Sequence, residues 1–148
     1  MKKIITLIAV LATFACTLYA HEPDSVNPRI IAVFNKTFAG ATNVKWETID
    51  TYARATFTVQ GQSMYVYFSP DARQHIVTRQ LAPDQLPINL STQLNEIVEG
   101  GKIVELFEVL SNGETTYYVS VLNETHSRIY KASASGYWHI FKKEKNKR

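Results

Sequence analysis

Cysteine is almost missing from this 148-residue chain: there is one, Cys16, inside an N-terminal apolar run. If that run is a leader that is removed, no thiol is left for a disulfide, a thiolate metal site or a nucleophile, and packing alone must stabilise the fold. Long apolar stretches are missing too. Ile4 to Ala15 is interrupted by Thr6 and Thr13 and falls short of the roughly 20 residues that a membrane span needs. There is no Gly-rich phosphate loop, no nucleophile elbow and no His-Glu-x-x-His. The four histidines, His21, His75, His126 and His139, have no close spacing of the kind that makes a metal site. Glu105 and Glu108 fall on opposite faces of an extended strand, and Glu96 and Glu99 belong to a solvated helix face, so neither pair reads as an acid and a base. The motifs that carry metal, phosphate and acyl-transfer chemistry are all lacking, which points away from an enzyme and implies no cofactor.

What is present begins with a leader. Met1-Lys2-Lys3, the apolar run and Leu18-Tyr19-Ala20 have the three parts of a secretory signal peptide, expected over residues 1–20 with cleavage after Ala20. A lipoprotein signal would instead leave Cys16 acylated at the new N-terminus, but Thr13-Phe14-Ala15 fits that pattern poorly. The expected location is periplasmic or extracellular. The formal net charge of +3 is unevenly spread. Lys2 and Lys3 lie in the leader, and Lys142, Lys143, Lys145, Lys147 and Arg148 outweigh Glu144 at the other end, so residues 21–141 are slightly acidic. The expectation is a solvated basic tail over residues 142–148, able at most to make a weak contact with an anionic envelope surface. Nucleic acid does not fit a body without a basic face.

Residues 21–28 read as a linker. Ile30, Phe34 and Phe38 then follow at helical spacing, with Asn27 placed to cap, Pro28 in the first turn and Gly40 as the stop in the left-handed conformation. The chain alternates from Val44 to Ile49, from Tyr52 to Val59, from Met64 to Phe68 and from Arg73 to Arg79, with turns between, which predicts an antiparallel meander. A second helix carries Leu90, Leu94, Ile97 and Val98 and stops at Gly100-Gly101. Four more strands follow, the last expected over Tyr137 to Phe141, with Asn112-Gly113 as a hairpin turn. Helix and four strands thus recur at an offset of roughly 60 residues, as a duplication would give.

Phe34 and Phe38, the small turn Ala39-Gly40-Ala41 and the run Asn43-Val44-Lys45-Trp46, with Leu86-Pro87 and Ile103-Val104 in the second half, resemble the PepSY-like family of secreted bacterial proteins, also described as β-lactamase-inhibitor-like. The resemblance covers nearly all of Arg29 to Phe141. It departs from the pattern at Ala39, where the family has proline, and at Asp71-Ala72, where it has Asp-Gly. It implies an α+β fold: a tandem repeat (29–80 and 84–141), each part a helix over a four-stranded antiparallel sheet, together one domain over 29–141. In that fold Trp46 seals the first helix against the sheet.

The alternation leaves one surface for binding. Arg54, Tyr65 and Tyr67 of the first part, with Tyr118, Arg128 and Tyr130 of the second, are expected on an exposed outer sheet face, and Tyr and Arg carry much of the energy of protein interfaces. Strand propensity alone would also put Tyr there. The resemblance implies a secreted, non-enzymatic binding protein that holds a peptidase or another envelope protein against this face. The alternative is a carrier with an apolar cavity between helices and sheet, which inward-facing polar groups would support.

Overall fold

The computed structural model describes residues 26–146. The expected leader, Cys16 and His21 lie outside the described residues, as do Lys147 and Arg148. Helix α1 (Pro28–Thr37) starts where the sequence says it should: the Asn27 side chain accepts a hydrogen bond from the Arg29 N–H at 2.9 Å, and Pro28 occupies the first turn, where an N–H is not needed. It buries Ile30 and Phe34. Then come β1 (Thr42–Ile49), β2 (Tyr52–Val59), β3 (Gln62–Phe68) and β4 (Gln74–Gln80), a short 3-10 turn (Pro83–Gln85), helix α2 (Ile88–Val98), and β5 (Lys102–Ser111), β6 (Glu114–Leu122), β7 (His126–Ser133) and β8 (His139–Lys145).

The eight strands form one antiparallel sheet in the order β1 to β8, each pairing with the next in sequence. The two four-stranded sets are therefore joined. Ile76 pairs with Ser111 and Gln80 with Phe107 across the β4–β5 seam. Both helices lie on the same face. Under α1, Phe34 meets Phe38, Trp46 and Phe57 with ring centroids 5.3, 5.2 and 5.0 Å apart, and Val66 and Phe68 complete the cluster. Under α2 the contacts are mainly aliphatic: Leu90 and Leu94 pack on Leu106, Val119 and Val121, with Tyr117, Tyr130 and Trp138 around them. Burying each of these large side chains stabilises the fold by about 1.5–3 kcal/mol.

Two expectations about local structure need correction. Gly40 does not stop α1 in the left-handed conformation; the backbone turns over at Phe38, and the first residue with positive φ is Asn43, at 54°. Asn43 sits in a bulge of β1, where the register shifts between Thr42 and Lys45. Asn tolerates the left-handed region better than other side chains, and a bulge re-aims the residues after it. The Asn-Val-Lys-Trp run thus turns Trp46 inward, opposite Ala55. The second correction concerns the basic tail. β8 continues to Lys145, with Ile129 opposite Lys142 and His126 opposite Lys145, so residues 142–145 are part of the sheet. Backbone pairing with β7 outweighs the mutual repulsion of lysines that alternate in direction.

Candidate functional site

The face turned away from the helices carries a third apolar cluster. Tyr67, Ile76, Phe107, Val109 and Tyr118 are its buried members, with Ile49, Tyr52, Tyr65, Ile129 and Phe141 packed around them. Neither helix contributes to it. Register explains the composition: Arg54, Tyr67 and Ile76 lie side by side across β2, β3 and β4, as do Thr56, Tyr65, Thr78 and Val109 one step along. Phe107 pairs with Tyr118, and Tyr118 with Lys131. Each strand gives this face its alternate residues.

Arg54 is the buried charge at one end. Its Nε donates to Glu47 Oε1 at 2.7 Å, a second guanidinium N–H also bonds Glu47, and Nη1 donates to the Tyr67 hydroxyl at 3.4 Å. The guanidinium lies 5.5 Å from the Tyr65 ring centre and 6.0 Å from that of Tyr67, within range of a cation–π attraction. Burial disfavours the Arg54 charge, but the bonds to Tyr67 and Glu47 outweigh it and hold its pKa above the ordinary value. Burial also raises the pKa of Tyr67 and Tyr118, so both hydroxyls are neutral at physiological pH. At the other end the Lys131 ammonium lies 5.7 Å from the Tyr118 ring centre and 5.9 Å from that of Phe141, and the two rings meet edge to face. Between the two ends the Thr78 hydroxyl is buried without a hydrogen-bond partner. Burial also pushes up the pKa of the Glu105 carboxyl, on this same face opposite Ser120.

The six residues expected on this face divide. Arg54, Tyr65, Tyr67 and Tyr118 are on it, but it is not the open surface the alternation suggested: Arg54 and Tyr118 are buried and Tyr67 is 0% exposed. Arg128 and Tyr130 are on the opposite, helix side. Tyr130 pairs with Val119 and Arg128 with Val121, both core residues beneath α2, and Tyr130 itself belongs to that core. The error is one of phase. Arg128-Ile129-Tyr130-Lys131 has an apolar residue on each side of the strand, so alternation alone does not say which side faces α2. Tyr52, Phe107, Lys131 and Phe141 belong to the face and were missed. The alternation of Glu105, Phe107 and Val109 was the available signal, obscured by apolar neighbours on both sides.

His75 packs edge to face on Tyr52 at 5.4 Å, whereas Asp71 bonds the Ser69 hydroxyl and Arg73. Glu105 and Glu108 do lie on opposite faces: Glu108 accepts from Arg79 at 2.9 Å and from the Tyr117 hydroxyl at 3.2 Å on the helix side. Among the described residues, no three His, Cys, Asp or Glu side chains are close enough to hold a metal ion, and no helix is long and apolar enough to cross a membrane.

No family profile and no curated protein matches the chain in sequence. Solved structures do match in fold. A BLIP-like protein from Bacteroides fragilis superposes with a TM-score of 0.70 at 19% identity, over 87% of this chain and 92% of that one. A DUF2874 family protein from Bacteroides uniformis gives 0.72 at 17% identity, over 82% and 90%. A candidate periplasmic protein from Bacteroides eggerthii gives 0.72 at 14%, over 82% and 89%. The chain has a BLIP-like fold.

Proposed function

We propose that this chain is a secreted, periplasmic binding protein of the PepSY-like kind, without catalytic activity, that takes a protein partner on the sheet face opposite its helices. One observation carries the reading: an aromatic cluster occupies a face that neither helix packs on. The centre of that cluster is already out of water, so a partner gains from the half-exposed rings at its margin, which offer apolar area with a polar handle. Half-buried Tyr65, Tyr52 and Phe141 offer large, stiff contact area at the margin, and Lys131, set over two rings, supplies charge at one end, while Arg54 at the other is buried and paired with Glu47. The periplasmic placement rests on the leader and agrees with the Bacteroides eggerthii neighbour. The partner class, a peptidase or another envelope protein, rests on the resemblance of Phe34, Phe38 and Asn43-Val44-Lys45-Trp46 to the PepSY-like pattern. The recurrence of a helix and four strands in each half is in this reading an internal duplication. The carrier alternative finds less support, because the space beneath each helix is filled by the aromatic and aliphatic side chains described above.

The test is a photo-crosslinking residue placed at Tyr65 or Tyr52, with capture from envelope extract. One partner captured by both probes, and lost when Phe141→Ser is added to a chain that stays folded, supports the reading. Capture that is indifferent to Phe141→Ser, or equally strong from a probe on the exposed side of α1 such as Lys36, overturns it.

A further inference from the structure

The register of β7 and β8 sorts their charges. Lys142 and Glu144, two apart on β8, share the face away from the helices and bond each other at 2.7 Å. The residues between and beyond them point the other way. Lys143 lies opposite Arg128, and Lys145 opposite His126, all four on the side of the sheet that carries α2. Among the described residues none of the four has a carboxylate partner, and the Arg128 Nε–H is buried without an acceptor. Burial, then Lys143, Arg128 and Lys145, hold the His126 pKa below its ordinary value, as expected where these groups face one another. The sole acid of the strand is thus spent on the other face.

Apolar side chains continue the same margin. Ile140 is 55% exposed and lies opposite Tyr130 on the same side as Lys143 and Lys145. Beyond it the Ser133–Trp138 turn docks on the start of α2: the Trp138 indole donates to the Leu90 carbonyl at 3.1 Å, and Asn89 donates to the Gly136 carbonyl at 3.3 Å. The neighbours of that second bond, Ile88 and Tyr137, project outward at 81% and 79% exposure, more than any other large apolar side chain described.

We propose that this β7–β8 margin docks on an anionic lipid surface, with Arg128, His126, Lys143 and Lys145 facing phosphate headgroups and Ile140, Tyr137 and Ile88 entering the interface. A soluble polyanion would need only the cations. A bilayer surface rewards both parts, because basic residues gain from the surface potential while aliphatic and tyrosine side chains partition into the headgroup region. Lysine on an edge strand also guards against edge-to-edge pairing. That role does not account for Arg128 and His126 on the interior strand β7, nor for three exposed apolar side chains at the same margin.

The experiment is sedimentation with vesicles, using the protein in the form that accumulates in cells, its N-terminus fixed by mass. Binding is expected to vesicles of phosphatidylglycerol mixed with phosphatidylcholine and not to phosphatidylcholine alone. Arg128→Gln, Lys143→Gln and Lys145→Gln should each weaken it roughly fivefold. Ile140→Ser with Tyr137→Ser should weaken it on the order of tenfold at unchanged charge, and Tyr65→Ser should leave it alone, which separates this surface from the proposed partner face. Circular dichroism checks that each variant is folded. Equal binding to phosphatidylcholine, indifference to either set of substitutions, or heparin binding that ignores the apolar pair while vesicles fail to bind would overturn the proposal.

Discussion

The two halves place a helix on four strands in the same order but fill the space beneath it differently. Under α1 the rings of Phe34, Phe38, Trp46, Phe57 and Phe68 touch one another, the closest pair 4.7 Å apart. Under α2 the helix side chains are aliphatic, Leu90 and Leu94 with Ile97 and Val98, and Trp138, from the turn before β8, fixes the helix by a hydrogen bond to the Leu90 carbonyl. One architecture thus accepts two kinds of core, as cores do when volume and polarity pattern are kept. The first half depends on ring against ring, and the second on aliphatic packing with a polar anchor.

Cutting each core at its centre should give the largest effects. Phe34→Ala removes a buried ring that touches three others and should cost about 3–5 kcal/mol, and Leu90→Ala about 2–5 kcal/mol. Urea unfolding followed by circular dichroism and by tryptophan fluorescence measures both. Because β4 and β5 join the halves in one sheet, each variant should shift a single transition seen alike by both probes. Two separate transitions would show that the halves are independent folding units.

The seam itself comes next. Arg79 on β4 and Glu108 on β5 bond at 2.9 Å, and Tyr117 donates to the same carboxylate. Glu108→Ala strands a partly buried guanidinium and a phenol, so a loss of about 1–3 kcal/mol is expected. Glu108→Gln, which keeps an acceptor, should recover part of it. Trp138→Phe is smaller, about 1–2 kcal/mol, as it removes one hydrogen bond and part of a buried ring.

Much of this contrast could be read in the sequence, and the reason is periodicity. Ile30, Phe34 and Phe38 mark a helix stripe, and Ala53, Ala55 and Phe57 mark the inward side of β2, because a helix-facing strand next to a mixed one keeps a clean contrast. Asn27 and Pro28 are local signals and act locally. What failed depended on tertiary pairing. Arg128 and Tyr130 went to the wrong face because both faces of β7 carry apolar residues, and the side is decided by pairing with Val119 and Val121. Lys142 to Lys145 looked like a solvated tail because their charge hides a strand that only β7 makes worthwhile. The outer face was found through Tyr65, Tyr67 and Tyr118, but its burial was not, since that depends on which side chains register places next to one another.

The smallest effects distinguish the turns that precede the last strand of each half. In the first, Ala72 has φ 64°, where an L side chain costs roughly 1–2 kcal/mol; in the second, no residue from Ser133 to Trp138 has positive φ. Ala72→Gly relieves that cost but gives up a buried methyl worth about 0.8 kcal/mol, so a gain of less than about 1 kcal/mol is expected, against none for a Gly placed at Ser135. The first turn also binds a proton-sensitive group. The hydrogen bond from the Ser69 hydroxyl, then Arg73, holds the Asp71 carboxyl below its ordinary pKa. A depressed pKa means that the contribution is present above the unfolded-state value and is lost as pH falls through the folded one. Asp71 is solvent-exposed, so the effect is small. It should nonetheless appear as a shallower acid-side fall in the urea midpoint for Asp71→Asn than for the native chain, whereas an identical fall in both would place the acid sensitivity outside this turn.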